Sequence, residues 1–216
     1  MIRSIYPAVM IKAALFDFGG VILSSPFDAF NSYEREAGLP PDTIRRLNTT
    51  NPDSNAWARF ERGELDAAGF VDAFEVEALD AGFKVDASRI LSGLRGSIRP
   101  EMVRSVEECG RHLKTAMLTN NFRDPSSTHT DPAITAIYEM FDHVVESSVA
   151  GVRKPEPRFY EIACEALGVR PDECVFLDDL GVNLKPARAM GMTTIKVTDP
   201  ADAIAELEAV VGFSLR

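Results

Sequence analysis

The chain has 216 residues, 45% hydrophobic and 26% charged, which suits a globular protein with one sizeable core and a smaller insertion. A formal net charge of -10 argues against nucleic acid as a partner, since that requires clustered Lys and Arg, and it means that any anionic substrate must be small and held by a metal ion or a few placed cations. Cys109, Cys164 and Cys174 are odd in number and widely spaced, so they fit neither a disulfide framework nor a zinc knuckle and read as buried free thiols.

Met1 to Met10 lacks the long apolar run and small-residue cleavage site of a secretory signal, and no later run is apolar enough for a bilayer, so a cytoplasmic protein without a membrane partner is expected. Next comes IKAALF (Ile11 to Phe16), short and wholly apolar, then Asp17 and Gly19-Gly20: a buried strand that ends in a turn. The stretch from about Pro26 to Ile98 offers helical faces, Trp57 with Phe60, Phe70 with Phe74, and Ile90 with Leu91 and Leu94, but no clear strand. It reads as a helical cap over 26–98, inserted after the first strand between core segments 10–25 and 99–216.

Beyond Pro100 the pattern becomes regular. Pro100 to Cys109 is a helix stopped by Gly110 and followed by the strand TAMLTNN (Thr115 to Asn121). DHVVES (Asp142 to Ser147) is the next strand. Pro155 to Gly168 is a helix with Pro157 in its first turn, and it feeds the strand CVFLDD (Cys174 to Asp179). Asn183 to Met190, closed by Gly191, leads to TTIKV (Thr193 to Val197). Strands alternating with helices predict a Rossmann-like α/β fold, a parallel sheet with helices on both faces and its ligand crevice beyond the carboxyl ends of the strands.

Polar groups collect at those ends or in the loops that follow them: Asp17, Thr119 with Asn120, Lys154, and Asp178 with Asp179. Singly, each has a plain structural reading as a turn, a strand terminus or a solvated loop. Together they suit phosphoryl transfer, where the protein's task is mostly positioning and charge stabilisation. Asp17 is the candidate nucleophile for an aspartyl-phosphate route. Thr119 and Asn120 can bind phosphate oxygens through a hydroxyl and backbone N–H groups, and Lys154 can neutralise charge on nucleophile and phosphoryl group. Two carboxylates beside Asp17 make an oxygen-rich site suited to magnesium, whereas zinc would want His or Cys.

FDFGGV (Phe16 to Val21), LTN (Leu118 to Asn120), Lys154-Pro155 and FLDDLGVNLKPARAMGM (Phe176 to Met192) resemble the motifs of the haloacid dehalogenase-like hydrolases. VESSVAGVRKPEPRFY (Val145 to Tyr160) and the FLDD segment are similar to the amino-terminal phosphatase domain of soluble epoxide hydrolases and the related domain of acyl-CoA dehydrogenase family member 10. The resemblance implies Asp17 as nucleophile, Thr119 and Asn120 as phosphate binders, Lys154 as charge stabiliser, and Mg2+ held by Asp17, Asp179 and the Gly19 carbonyl. It makes Asp178 and Asn183 supporting groups behind the metal ligands, and a small phosphorylated metabolite the substrate.

Most phosphatases that the sequence resembles carry a second aspartate two residues after the nucleophile, to protonate the leaving oxygen and later activate water. Here that position is Gly19, which can offer a carbonyl but no acid or base. Bacterial sugar-phosphate phosphatases of the same family share this lack. Two alternatives stand beside the phosphatase: a metal-independent 2-haloacid dehalogenase, and a module that binds a phosphometabolite with little turnover. Asp178-Asp179 speaks against the first, since clustered carboxylates disfavour ionisation unless a cation intervenes. Among the remaining residues, His112, His129 and His143 are isolated; Arg123, Arg153 and Arg158 flank the motifs; Trp57, Arg59 and Phe60 read as cap; and Ser24 and Ser25 have no His and Asp to activate them.

Overall fold

The computed structural model describes residues 10–94, 96–121 and 131–215. Five strands, β1 (Ala13–Phe16), β2 (Lys114–Thr119), β3 (His143–Glu146), β4 (Cys174–Asp178) and β5 (Thr193–Lys196), form one parallel sheet in the order β3-β2-β1-β4-β5. β1 is central. Every residue of β1 and β4 is buried, as expected for strands covered on both faces, and this is why they read as continuous apolar runs.

The period of two assigns each side chain to a face. Ala14, Phe16, Met117, Val175, Leu177 and Ile195 pack with Met102, Val106 and Cys109 of α6 (Pro100–Gly110) and with Ala203, Ile204 and Leu207 of α11 (Pro200–Val211). On the opposite face Ala13, Leu15, Ala116, Leu118 and Phe176 meet Phe159, Ala163 and Leu167 of α9 (Pro157–Leu167) and Leu184 and Ala187 of α10 (Gly181–Ala189). The predicted strands and the three predicted helices are present with ends shifted by one or two residues.

The C-terminal helix α11 adds to the expected elements, and its signals are in the chain. Asp199 accepts from Ala201 N and Asp202 N as a cap, Pro200 opens the helix and Gly212 closes it in the left-handed region. Short α7 (Pro132–Tyr138) and α8 (Ser147–Ala150) were likewise not anticipated.

Between β1 and α6 lie α1 (Pro26–Ala37), α2 (Thr43–Thr49), α3 (Ala56–Glu61), α4 (Ala67–Asp80) and α5 (Ala87–Gly93). They have a core of their own, in which Phe60 and Phe74 each stack on Phe70 and Trp57 sits edge-on to Phe30, Phe70 and Phe74. The Trp57 and Phe60 pair is therefore core within this segment. Chain exit and return are adjacent: Ser24 N donates to Ser97 O at 2.8 Å, and Arg99 N donates to Ile22 O at 2.9 Å. No helix among the described residues is long and apolar enough to cross a membrane.

Candidate active site

Register places the chemistry. Phe16 pairs with Met117 on one side and Leu177 on the other, which carries the next residue, Asp17, level with Leu118 and Asp178. Asp17 N donates to Leu177 O at 2.9 Å, so its backbone continues the sheet by one residue and its side chain emerges at the carboxyl edge. The chain reverses immediately afterwards. Gly20 adopts φ +82°, and a Cβ there would lie 2.2 Å from Asp179 Oδ2, so only glycine lets this turn close against the Asp179 carboxylate. Arg99 braces the turn by donating to Gly20 O at 2.6 Å.

Lys154, 1% exposed, arrives from the loop before α9 and bridges two carboxylates, 2.7 Å from Asp17 Oδ1 and 2.8 Å from Asp178 Oδ2. Asp178 is completely buried and its oxygens are in use: Leu180 N donates to Oδ1 at 2.8 Å, and Asn183 Nδ2 lies 3.1 Å from both. Asn183 is fixed in turn by Tyr160, whose hydroxyl donates to its carbonyl at 2.7 Å. Asp179 is more open, with Ser25 Oγ donating to Oδ2 at 3.4 Å.

Carboxylate oxygens of Asp17, Asp178 and Asp179 lie within 4.8 Å of one another, the single such group of potential metal ligands among the described residues. Three carboxylates thus face one ammonium. Burial raises Asp17 well above the usual carboxylate range, Lys154 opposes this, and Asp178 and Asp179 add to it. Burial, with Asp178 next, pushes Asp179 up to about 6. Burial alone would lower Lys154, but Asp17 and Asp178 override it and hold the ammonium above its ordinary value. An all-oxygen, excess-negative site of this kind fits a hard divalent cation.

Thr119 ends β2 and is 4% exposed. The Asn120 side chain is fully used by protein partners. Its Oδ1 accepts from Lys154 N at 2.8 Å, and its Nδ2 donates to Lys154 O at 2.9 Å and to Glu61 Oε2 at 3.1 Å. Any contact of Asn120 with an oxyanion then falls to its backbone N–H. Glu61, in the inserted helical segment, was not anticipated, because a single Glu at the end of a helix carries no pattern that distinguishes it from a solvated charge.

Arg153 pairs with Glu61 at 2.6 Å and Arg158 with Glu165 at 2.6 Å, so neither is a spare anion binder. Arg123 and His129 lie outside the described residues. His112 packs on Phe213 at 4.6 Å, His143 opens β3, and the three cysteines are free and buried. A surface cavity lined by Lys12, Cys164, Arg170 and Glu173 lies at the opposite edge of the sheet, away from Asp17.

The sequence signature of the haloacid dehalogenase-like hydrolases matches residues 11–191. Acyl-CoA dehydrogenase family member 10 of Mus musculus is 35% identical over 210 residues, 94% of this chain but 19% of that protein. Bifunctional epoxide hydrolase 2 of Rattus norvegicus is 46% identical over 218 residues, 94% of this chain and 39% of that protein. The chain thus spans well under half the length of these two relatives. Phosphatase MT3486 of Mycobacterium tuberculosis is 31% identical over 199 residues, with 84% and 85% covered. Among solved structures, the haloacid dehalogenase-like enzyme BT-2542 of Bacteroides thetaiotaomicron, in complex with magnesium and inorganic phosphate, superposes with a TM-score of 0.59 at 21% identity, covering 86% of this chain and 93% of that one. With the signature running from β1 into α10 and a parallel sheet that gathers its motifs on one edge, the chain belongs to the haloacid dehalogenase-like hydrolase family.

Proposed function

We propose that this protein is a magnesium-dependent phosphatase of small organic phosphate monoesters, working through an aspartyl-phosphate intermediate. The observation that carries the reading is the buried group of Asp17, Asp178 and Asp179 around Lys154, a surplus of negative charge that a divalent cation and a phosphoryl group together would balance. The phosphatase name of a relative matched over most of both chains and the magnesium and phosphate bound by BT-2542 support it.

In this reading residues 10–25 and 99–216 are the hydrolase core and 26–98 the cap. An Asp17 carboxylate oxygen attacks phosphorus, the ester P–O bond breaks, and the leaving oxygen takes its proton from solvent because Gly19 offers none. Water then cleaves the acyl phosphate, releasing inorganic phosphate and restoring Asp17. Lys154 holds Asp17 in line and neutralises charge on the phosphoryl oxygens, which Thr119 and the Asn120 backbone N–H orient. Asp17, Asp179 and the Gly19 carbonyl would hold magnesium, with Asp178 and Asn183 fixing Lys154 and the loop behind them. When bound, magnesium supplies charge neutralisation for the phosphoryl oxygens and the carboxylates.

The expected outcome is release of inorganic phosphate from a panel of monoesters, dependent on magnesium and lowered at least ~10³-fold by Asp17→Asn, which removes the nucleophile on which both steps rest. Turnover that survives both chelation and this substitution would overturn the proposal. Halide release from 2-haloacids without metal would instead support the dehalogenase reading.

A further inference from the structure

Glu61 is the last residue of α3, yet its carboxylate is not solvated. Its side chain is 12% exposed, accepts from Trp57 Nε1 at 2.9 Å and Asn120 Nδ2 at 3.1 Å, and forms an ion pair with Arg153, whose Nε lies at 2.6 Å. Burial raises its carboxyl above the usual range, opposed first by Arg153 and then by the Trp57 bond. A carboxylate kept in such a place must be held by its partners, since an unpaired buried charge is strongly disfavoured. Trp57 belongs to the same helix; the other two partners belong to the sheet side of the molecule.

Those two partners lead directly to the proposed catalytic lysine. Asn120 holds Lys154 by both backbone groups, accepting from its N–H and donating to its C=O, and the remaining Nδ2 hydrogen goes to Glu61. Because a carboxylate is an acceptor only, Glu61 reinforces the amide orientation that the Lys154 backbone requires; the reversed amide would set oxygen against oxygen at both Glu61 and Lys154 O. Arg153 is the residue before Lys154. Its side chain turns to the helical segment, pairing with Glu61 and donating from NH1 to Pro52 O at 2.9 Å. Lys154 turns the other way, to Asp17 and Asp178. The backbone contact is reinforced where Ser147 Oγ donates to Glu61 O and accepts from Asn121 N at 3.1 Å.

We propose that Glu61 is a positioning residue for Lys154: seating α3 on the sheet edge places its carboxylate on Asn120 and Arg153, and this fixes the lysine that holds Asp17. The inference deepens the phosphatase reading, since it makes closure of the helical segment and completion of the charge-stabilising lysine one event. Glu61 touches no reacting atom in this scheme. Its effect passes through Asn120.

The test has two arms. In the first, magnesium-dependent hydrolysis of para-nitrophenyl phosphate is measured for the wild type, Glu61→Ala, Asn120→Ala and the double variant. Glu61→Ala is expected to lower kcat ~10-fold with KM changed less than about two-fold, and the double variant to be no slower than Asn120→Ala, as for residues acting in one chain of contacts. If Glu61→Ala does not fold, Glu61→Gln, which keeps the volume, goes through the same cycle and is read in the same way. A kcat within about two-fold of wild type in a variant that merely melts earlier, or losses that multiply in the double variant, overturns the proposal.

The second arm needs no turnover. Amide hydrogen exchange of Lys154 N–H, which is bonded to Asn120 Oδ1, is expected to quicken ~10-fold or more in Glu61→Ala while amides of β1 and β4 keep their protection. Unchanged exchange at Lys154 overturns the inference whatever the activity. A wild type that releases no phosphate counts against the phosphatase reading and leaves this arm to decide the role of Glu61.

Discussion

Gly19 and Gly20 are neighbours of the same residue type with opposite tolerances. A Cβ on Gly20 would meet the Asp179 carboxylate, and its φ of +82° is itself unfavourable to any other residue. A Cβ on Gly19 meets nothing closer than Pro26 Cδ at 3.9 Å, ordinary contact distance. A side chain two residues after Asp17 is therefore not kept out by a clash at its Cβ. Gly19→Asp is expected to fold and to speed hydrolysis of alkyl phosphates by up to ~10²-fold, with little gain on para-nitrophenyl phosphate, whose leaving group needs no proton. Equal gains on both substrate classes, compared as kcat, would show that proton donation is not what this position lacks. Asp17, Lys154 and Asp179 are readable as motif positions because each is a distinctive residue type at a strand end or in a loop that follows one. The difference between two adjacent glycines is not readable, since it depends on what the opposite loop places above each of them.

At the scale of elements, the segment between β1 and α6 is attached to the site through α3, and α3 is fixed at its start by Asn55. Asn55 is 5% exposed and fully used: Oδ1 accepts from Ala58 N at 2.8 Å, and Nδ2 donates to Asn48 O at 3.0 Å and to Thr50 O at 2.9 Å. Asn55→Ala is expected to cost about 1–2 kcal/mol in urea unfolding, the range for losing a helix cap, with Asn55→Asp recovering part of it because the acceptor is kept. A loss below about 0.5 kcal/mol would mean that this start contributes no more than an ordinary surface position. The aromatic spacing in the sequence revealed that the segment is helical and has a core. It did not reveal which helix end faces the sheet, because Glu61 and the other acids of the segment look alike until the fold brings one of them to Asn120.

For the whole molecule, the carboxylate surplus at the sheet edge links metal, proton and stability. Asp179 is raised from 3.8 to about 6, with burial the first cause, and burial raises Asp17 well above its ordinary value too. In metal-free protein these two carboxyls therefore hold more protons in the native state than in the unfolded chain from about pH 4 upward. Their contribution to stability falls as pH rises through that interval, up to about pH 6 for Asp179, and Asp17 acts in the same direction. In chelator the melting temperature is expected to be lower at about pH 7 than at about pH 5, and magnesium should raise it more at pH 7 and flatten the profile, because a bound cation replaces the protons. A chelated protein whose melting temperature rises steadily from pH 5 to 7 would contradict the placement of these charges.

The sequence by itself determined the sheet, the helices that flank most of it, the inserted helical segment and the residue types at the strand ends, because the apolar runs, the helical periodicity and the Gly and Pro stops are local and each appears in the chain as a contiguous pattern. Tertiary structure alone decided how those residues are used. Parallel register set Asp17 level with Asp178, the turn at Gly20 brought Asp179 against it, and packing of α3 put Glu61 on the amide that holds Lys154. These pairs lie as far as 161 positions apart in sequence, Asp17 to Asp178, and no local pattern encodes which of many similar side chains will meet.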